Sequence, residues 1–144
     1  DYPAVSIVKT DSELLVACCG LFDHIGEIEY QVAQSVLFCS KMLDEMETIN
    51  EQLDIDLHLR IAVNVGGPAL GRLLNARTPS FEIVGPLIEL AQRIVIEGEN
   101  DVVQVGETVL QFLEKGKFEI SNGMSLLNQN GTTDQIYIIS NVFL

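Results

Sequence analysis

Between Leu57 and Val65 the chain alternates without a break. Leu57, Leu59, Ile61, Val63 and Val65 are apolar, and His58, Arg60, Ala62 and Asn64 fill the places between them. Successive side chains of a strand point to opposite faces, so this pattern predicts a strand with one face in a core and one carrying polar groups. Such a strand requires sheet neighbours, and the rest of the chain offers them. Residues 4–8 and 14–19 are apolar and rich in β-formers, and Thr10-Asp11-Ser12 between them has turn chemistry, which predicts a β-hairpin. Gly66-Gly67-Pro68 turns the chain after the alternating segment, and residues 69–74 are expected to return as its partner strand. Short extended runs follow at 81–84, 102–105, 118–120 and 136–139, while 122–134 is polar and poor in pattern.

Helical periods separate these strands. Val32, Val36, Cys39, Leu43 and Met46 recur in steps of three and four, predicting a long helix over residues 27–53 with a single buried stripe. Its acids Asp44, Glu45 and Glu47 read as a solvated face. Gly85-Pro86 opens a second helix, with proline near its first position and Leu87, Leu90, Ala91 and Ile94 as its stripe. A short helix over 107–113 ends around Gly116. Long helices over a mostly antiparallel sheet make the class α+β, and 144 residues suit one domain.

Charge narrows the partners. Eight basic residues face 21 acidic ones, a formal net charge of −13. That balance argues against nucleic acid and anionic membrane surfaces. A phosphate ligand would need a metal ion or a local group of the few arginines. Cys18, Cys19 and Cys39 are an odd count without metal spacing, and read as small buried hydrophobes in a reducing compartment. His24 and His58 also lack metal-ligand spacing. The glycines of Gly66 to Gly71 lack the lysine and serine or threonine of a P-loop. No apolar run is long enough to span a bilayer, and no signal-peptide pattern is present. The chain begins at Asp1 without a methionine and reads as a cytoplasmic piece of a longer polypeptide, whose parent can still carry a membrane anchor elsewhere.

Four segments in order resemble class III nucleotidyl cyclase catalytic domains. Leu59 to Gly66, "LRIAVNVG", is similar to their "LRIGINTG" strand. Phe81 to Gly85, "FEIVG", followed by Ala91-Gln92-Arg93, is similar to "YDIWG…NVASR". Val8-Lys9-Thr10 through Gly20 resembles "IKTIGDAYMAASG", and Gln104-Val105 with Tyr137 fits the closing "IQV…Y" pattern. The resemblance implies a ferredoxin-like α/β sandwich with a mostly antiparallel sheet. It also implies that the family's first strand, with its "FxDI" metal motif, and the helix after it would lie before Asp1. The vacated place is expected to be filled by the parent chain, a partner or a rearranged segment, because an open sheet leaves backbone unpaired. The family converts ATP or GTP to a cyclic nucleotide and pyrophosphate at a site shared by two domains, using two metal ions held by aspartates. The implied partners are therefore a homodimer mate or a different cyclase domain and a nucleoside triphosphate. The implied cofactors are Mg2+ or Mn2+ in an active assembly, with none expected on this chain alone.

The resemblance assigns roles residue by residue. Lys9 takes the position that reads adenine; otherwise it is a solvated lysine beside a turn. Glu82 replaces the aspartate that accepts from the purine amine; otherwise it is a strand-end carboxylate. Arg93 matches the arginine that stabilises charge on the phosphorus. Glu89 replaces the asparagine that positions the ribose, placing an anion near the phosphates. Glutamate four residues before arginine is the favoured order for an intrahelical ion pair, so Glu89 is expected to compete for Arg93. Arg60 matches a phosphate-contacting arginine, or else pairs with nearby acids across the sheet. Gln129 falls near a lysine that grips the triphosphate, and "NQNG" around it has no cation, which weakens electrostatic stabilisation of phosphoryl transfer. Glu13 falls where the second metal aspartate belongs, with an extra methylene that magnesium tolerates poorly. Two readings stay open: a cyclase domain impaired or inactive alone, and a silent module kept for dimerisation or regulation.

Overall fold

Both faces of the alternating segment are covered, which fixes the layers of the molecule. The computed structural model describes residues 1–22, 25–67, 69–74, 77 and 80–142. Strand β3 (Ile61–Val63) turns Ile61 and Val63 toward helix α1 (Ile28–Leu53), into a core with Val32, Val36, Val103, Val105 and Ile139. Ala62, between them, packs on the opposite side with Ile94 and Leu90 of helix α2 (Pro86–Glu97), beside Leu126 and Ile136. The intervening face that reads as polar is thus a second core, and the architecture is helix, sheet, helix.

The strand is shorter than its alternation. The Asn50 side chain, in the last turn of α1, donates to Leu57 O at 2.8 Å and accepts from Leu57 N at 2.9 Å. Leu59 exchanges backbone bonds with Asp101, its N–H reaching the carboxylate at 3.0 Å and its carbonyl accepting Asp101 N–H at 2.7 Å. Asn50 and Asp101 therefore satisfy backbone groups of Leu57 and Leu59 that a longer ladder would have used.

The main sheet runs β3, β6 (Val103–Gly106), β8 (Thr133–Val142), β7 (Phe118–Leu127), with β3 parallel to β6 and the rest antiparallel. The two 10-residue strands β7 and β8 extend into the polar stretch 122–134, leaving 128–132 as the turn between them. The short helix α3 (Glu107–Leu110) buries Val109 in the α1-side core.

Two hairpins stand apart from this sheet. Strands β1 (Ser6–Thr10) and β2 (Leu15–Cys18) pair as expected. Strand β4 (Leu70–Leu74) pairs with β5 (Ser80–Val84) and not with the alternating strand, which corrects the expected pairing of 69–74. Leu70 and Leu73 are 70% and 73% exposed, so this strand has no core to enter beside β3. Among the described residues β3 is hydrogen-bonded as a strand to β6 alone, leaving one edge open. No described helix is long and apolar enough to cross a membrane. His24, Pro68 and most of the expected 75–79 loop lie outside the described residues.

Candidate active site

The β1–β2 hairpin presents Lys9. Its turn is closed by Asp11, whose Oδ1 accepts the N–H of Glu13 at 2.9 Å and of Leu14 at 2.8 Å. Those two donors hold the Asp11 carboxyl below its usual range. The register slips between Ile7 and Lys9, an irregularity of the kind that re-aims a side chain. Lys9 reaches across to β5, where its Nζ lies 2.9 Å from Glu82 Oε1. The hydrogen bond to Glu82 raises the lysine pKa, and the glutamate's charge adds to it. Beside the pair is a recess of about 40 Å³ lined in part by Val16, Phe81, Ile88 and Gln92. A recess of that size does not hold a purine as it stands.

Helix α2 begins immediately after β5. Gly85, its N-cap, has φ 152 and ψ 166, a backbone region essentially reserved for glycine. It lets the chain turn from strand into helix at once, with Pro86 at the first helical positions. Ile94, fully buried, anchors the helix on β7 and β8. Its neighbour Arg93 then reaches the β7–β8 turn, donating through Nη1 to Asn128 Oδ1 at 2.7 Å and through Nη2 to Leu127 O at 3.1 Å.

The expected competition for Arg93 does not occur. No ion pair joins Glu89 to Arg93; Glu89 is exposed in the first turn of α2, where the helix end favours an anion. Gln129 is exposed in the turn next to Asn128, so the structure does bring that turn to Arg93. Sequence reading passed over Asn128 because it weighed the turn for cations. The signal was the Asn-Gly dipeptide at residues 130 and 131, which marks a hairpin turn.

Two residues fall outside this group. Arg60 donates through Nε to Asn100 Oδ1 at 2.9 Å and through Nη1 to Ile96 O at 2.8 Å, closing the C-terminal end of α2. Beside it His58 Nδ1 lies 2.6 Å from Asp101 Oδ2, with Asp56 at 3.4 Å from Nε2. These contacts knit the end of α1, the start of β3 and the α2–β6 loop. Among the described residues Arg60 makes no ion pair with an acid, and Asp56 and Asp101 pair with His58. Glu13 stands exposed at the hairpin tip, and the neighbouring Asp11 is committed to the turn. Among the described residues no group of three or more His, Cys, Asp or Glu side chains is placed to hold a metal. A divalent ion that demands octahedral oxygen ligation does not fit this tip alone. The cysteines are free, and burial pushes the half-buried Cys39 thiol up to about 12.

Comparison with known proteins agrees with this frame. A 24% identity over 126 residues links the chain to the germination-specific adenylate cyclase of Dictyostelium discoideum, covering 86% of this chain and 14% of that one. The chain thus spans only a small part of that relative. Its fold matches the adenylyl cyclase CyaB of P. aeruginosa at TM-score 0.82 and 16% identity, covering 97% of this chain and 73% of that one. It matches the guanylate cyclase domain of RhGC from Catenaria anguillulae, solved with GTP, at TM-score 0.80 and 18% identity, covering 96% and 73%. A dimeric guanylyl cyclase domain of the RhoGC fusion protein from Blastocladiella emersonii aligns at TM-score 0.77 and 18% identity, covering 96% and 72%. Residues 2–141 match the adenylate and guanylate cyclase catalytic domain as a family, so the chain belongs to that family.

Proposed function

We propose that this chain forms part of a dimeric nucleotidyl cyclase site that acts on ATP. Lys9 and Glu82 recognise the purine, and Arg93 stabilises charge at the phosphorus. The observation that carries this reading is the Lys9–Glu82 pair at 2.9 Å, joining two hairpins at a recess. A lysine can donate to adenine N1 while a glutamate accepts from the 6-amino group; guanine presents the opposite order of acceptor and donor. In the reaction the ribose O3′ forms a bond to the α-phosphorus, the bond from that phosphorus to the pyrophosphate oxygen breaks, and the 3′-hydroxyl proton is lost. Arg93 would offset the charge that develops on the phosphoryl oxygens. Carboxylates for Mg2+ or Mn2+ would come from outside the described residues of this chain, so the chain alone is expected to be inactive or nearly so. Exposed Leu70 and Leu73 on the β4–β5 hairpin are available for a partner domain, of the same or another kind. The deciding experiment is cyclic AMP production from ATP with manganese, by the chain within its full parent or with a partner cyclase domain. Activity lost in Arg93→Ala is the expected result; no activity in any such assembly would leave a silent dimerisation module as the reading.

A further inference from the structure

We propose that Asn128 is a positioning residue for Arg93, fixing its guanidinium as a free cation with donors left over for a phosphate. The inference rests on the functional reading above. A guanidinium only donates, so the Asn128 carboxamide must turn its oxygen toward Arg93, where it lies 2.7 Å from Nη1. That orientation sends Nδ2 the other way, to Thr132 Oγ1 at 3.0 Å. Thr132 Oγ1, having accepted, donates onward to Asn130 Oδ1 at 2.6 Å. Asn130 Oδ1 also accepts Thr132 N–H at 3.1 Å. The backbone locks the same turn: Asn128 N–H reaches Thr132 O at 2.8 Å, and Asn128 O accepts Gly131 N–H at 3.0 Å.

The result is a one-way relay, Arg93 to Asn128 to Thr132 to Asn130, in which each donor has a set acceptor. Such chains polarise and hold one another. Both acceptors on Arg93, Asn128 Oδ1 and Leu127 O, are neutral, so the cation keeps its charge for an anion. Among the described residues, two of the five N–H donors of the arginine have acceptors and three do not. The relay also explains how a turn without a cation can serve an anionic substrate: it holds the cation that α2 supplies. It answers Glu89 as well, because an arginine tied to the turn is not free to fold back on its own helix.

The test has two arms. In the first, isotope-edited NMR of the full chain follows rotation of the Arg93 guanidinium. Asn128→Ala is expected to free that rotation, and a guanidinium as restrained as in the native chain would overturn the proposal. In the second, a non-hydrolysable ATP analogue is titrated into the assembled dimer. Asn128→Ala should weaken binding by roughly tenfold when Arg93 is present and have little effect in an Arg93→Ala background. A loss of equal size in both backgrounds would mean that Asn128 only shapes the turn, and would overturn the assignment. If native protein fails to bind the analogue, the cyclase reading fails, and the NMR arm still decides whether Asn128 holds Arg93. Thr132→Val keeps Asn128 Oδ1 but leaves its amide unheld, and serves if Asn128→Ala does not fold. Partial loosening of Arg93 is expected there, and none would overturn the relay.

Discussion

Lys9 on β1 and Glu82 on β5 meet at 2.9 Å although 73 residues separate them in the chain. Both side chains are about one-third exposed, at 36% and 31%. A pair so open to solvent adds little to stability. On the function proposed above its value lies in binding, and the two effects separate experimentally. Lys9→Ala is expected to weaken an ATP analogue by about tenfold while leaving the thermal midpoint within error of the native chain. Calorimetric titration and a melting curve check this. Unchanged affinity would remove Lys9 from the site, and a large fall in midpoint would make the pair structural.

Glu89 puts an anion on α2 one turn before Arg93, without neutralising it. A triphosphate would feel that charge directly. Glu89→Asn should raise cyclic AMP formation by the assembled dimer by about tenfold or more, since phosphoryl-transfer catalysis is chiefly electrostatic. The same change removes a favourable charge from the helix start and should cost about 0.3–1 kcal/mol of stability in urea unfolding. A rate unchanged or reduced by the asparagine would show that Glu89 is part of this chain's own chemistry, not an obstacle to it.

Much of the frame was legible because periodicity reports burial. The stripe of α1, the β1–β2 hairpin and the strand–glycine–helix joint around Gly85 all follow from spacing and turn residues. The length of β3 was not legible, since Asn50 and Asp101 reach Leu57 and Leu59 from other segments and replace ladder bonds. The partner of β4 was misread because alternation says a strand needs a neighbour and does not say which. In the site, resemblance singled out Lys9, Glu82, Arg93 and Gln129 one by one, and the bond between Lys9 and Glu82 and the contact of Arg93 with the 128–131 turn came from the structure. Asn128 and the Arg60 cap were missed, because both act through hydrogen bonds to residues more than 30 positions away that leave no pattern in sequence.

The cluster of His58, Asp101 and Asp56 makes stability depend on pH. His58 is raised above 6.5, first by its hydrogen bond to Asp101 and then by the charge of Asp56. A raised histidine favours the folded state while protonated, so its contribution is full below the unfolded value and is lost as pH rises through the folded one. Asp101 is lowered below 3.8 by the same bond, so its contribution is lost only as pH falls through that lowered value. The clamp is therefore strongest in mild acid. The urea midpoint of the native chain should exceed that of His58→Gln at about pH 5.5, and the gap should shrink by about pH 8.5. A gap that is constant or grows with pH would show that the charged form of His58 does not hold this corner.

Ile94 couples the stability of the fold to the geometry of the site. It is fully buried, packed with Leu126 and Ile136, and it adjoins Arg93 on α2. Removing its outer carbons leaves a void between α2 and the β7–β8 strands that the sheet cannot close. Ile94→Ala should cost about 2–5 kcal/mol in urea unfolding, and Ile94→Val only about 0.5–1.5. Arg93 is the neighbour of Ile94 on α2, so if that packing helps hold Arg93 against Asn128, binding of an ATP analogue should weaken in the alanine variant at temperatures where it is still folded. The valine variant should bind nearly as the native chain does. Alanine with native stability would contradict the packing described for α2. Alanine with lowered stability and native affinity would show that Arg93 is held by the turn alone, without help from the core beneath it.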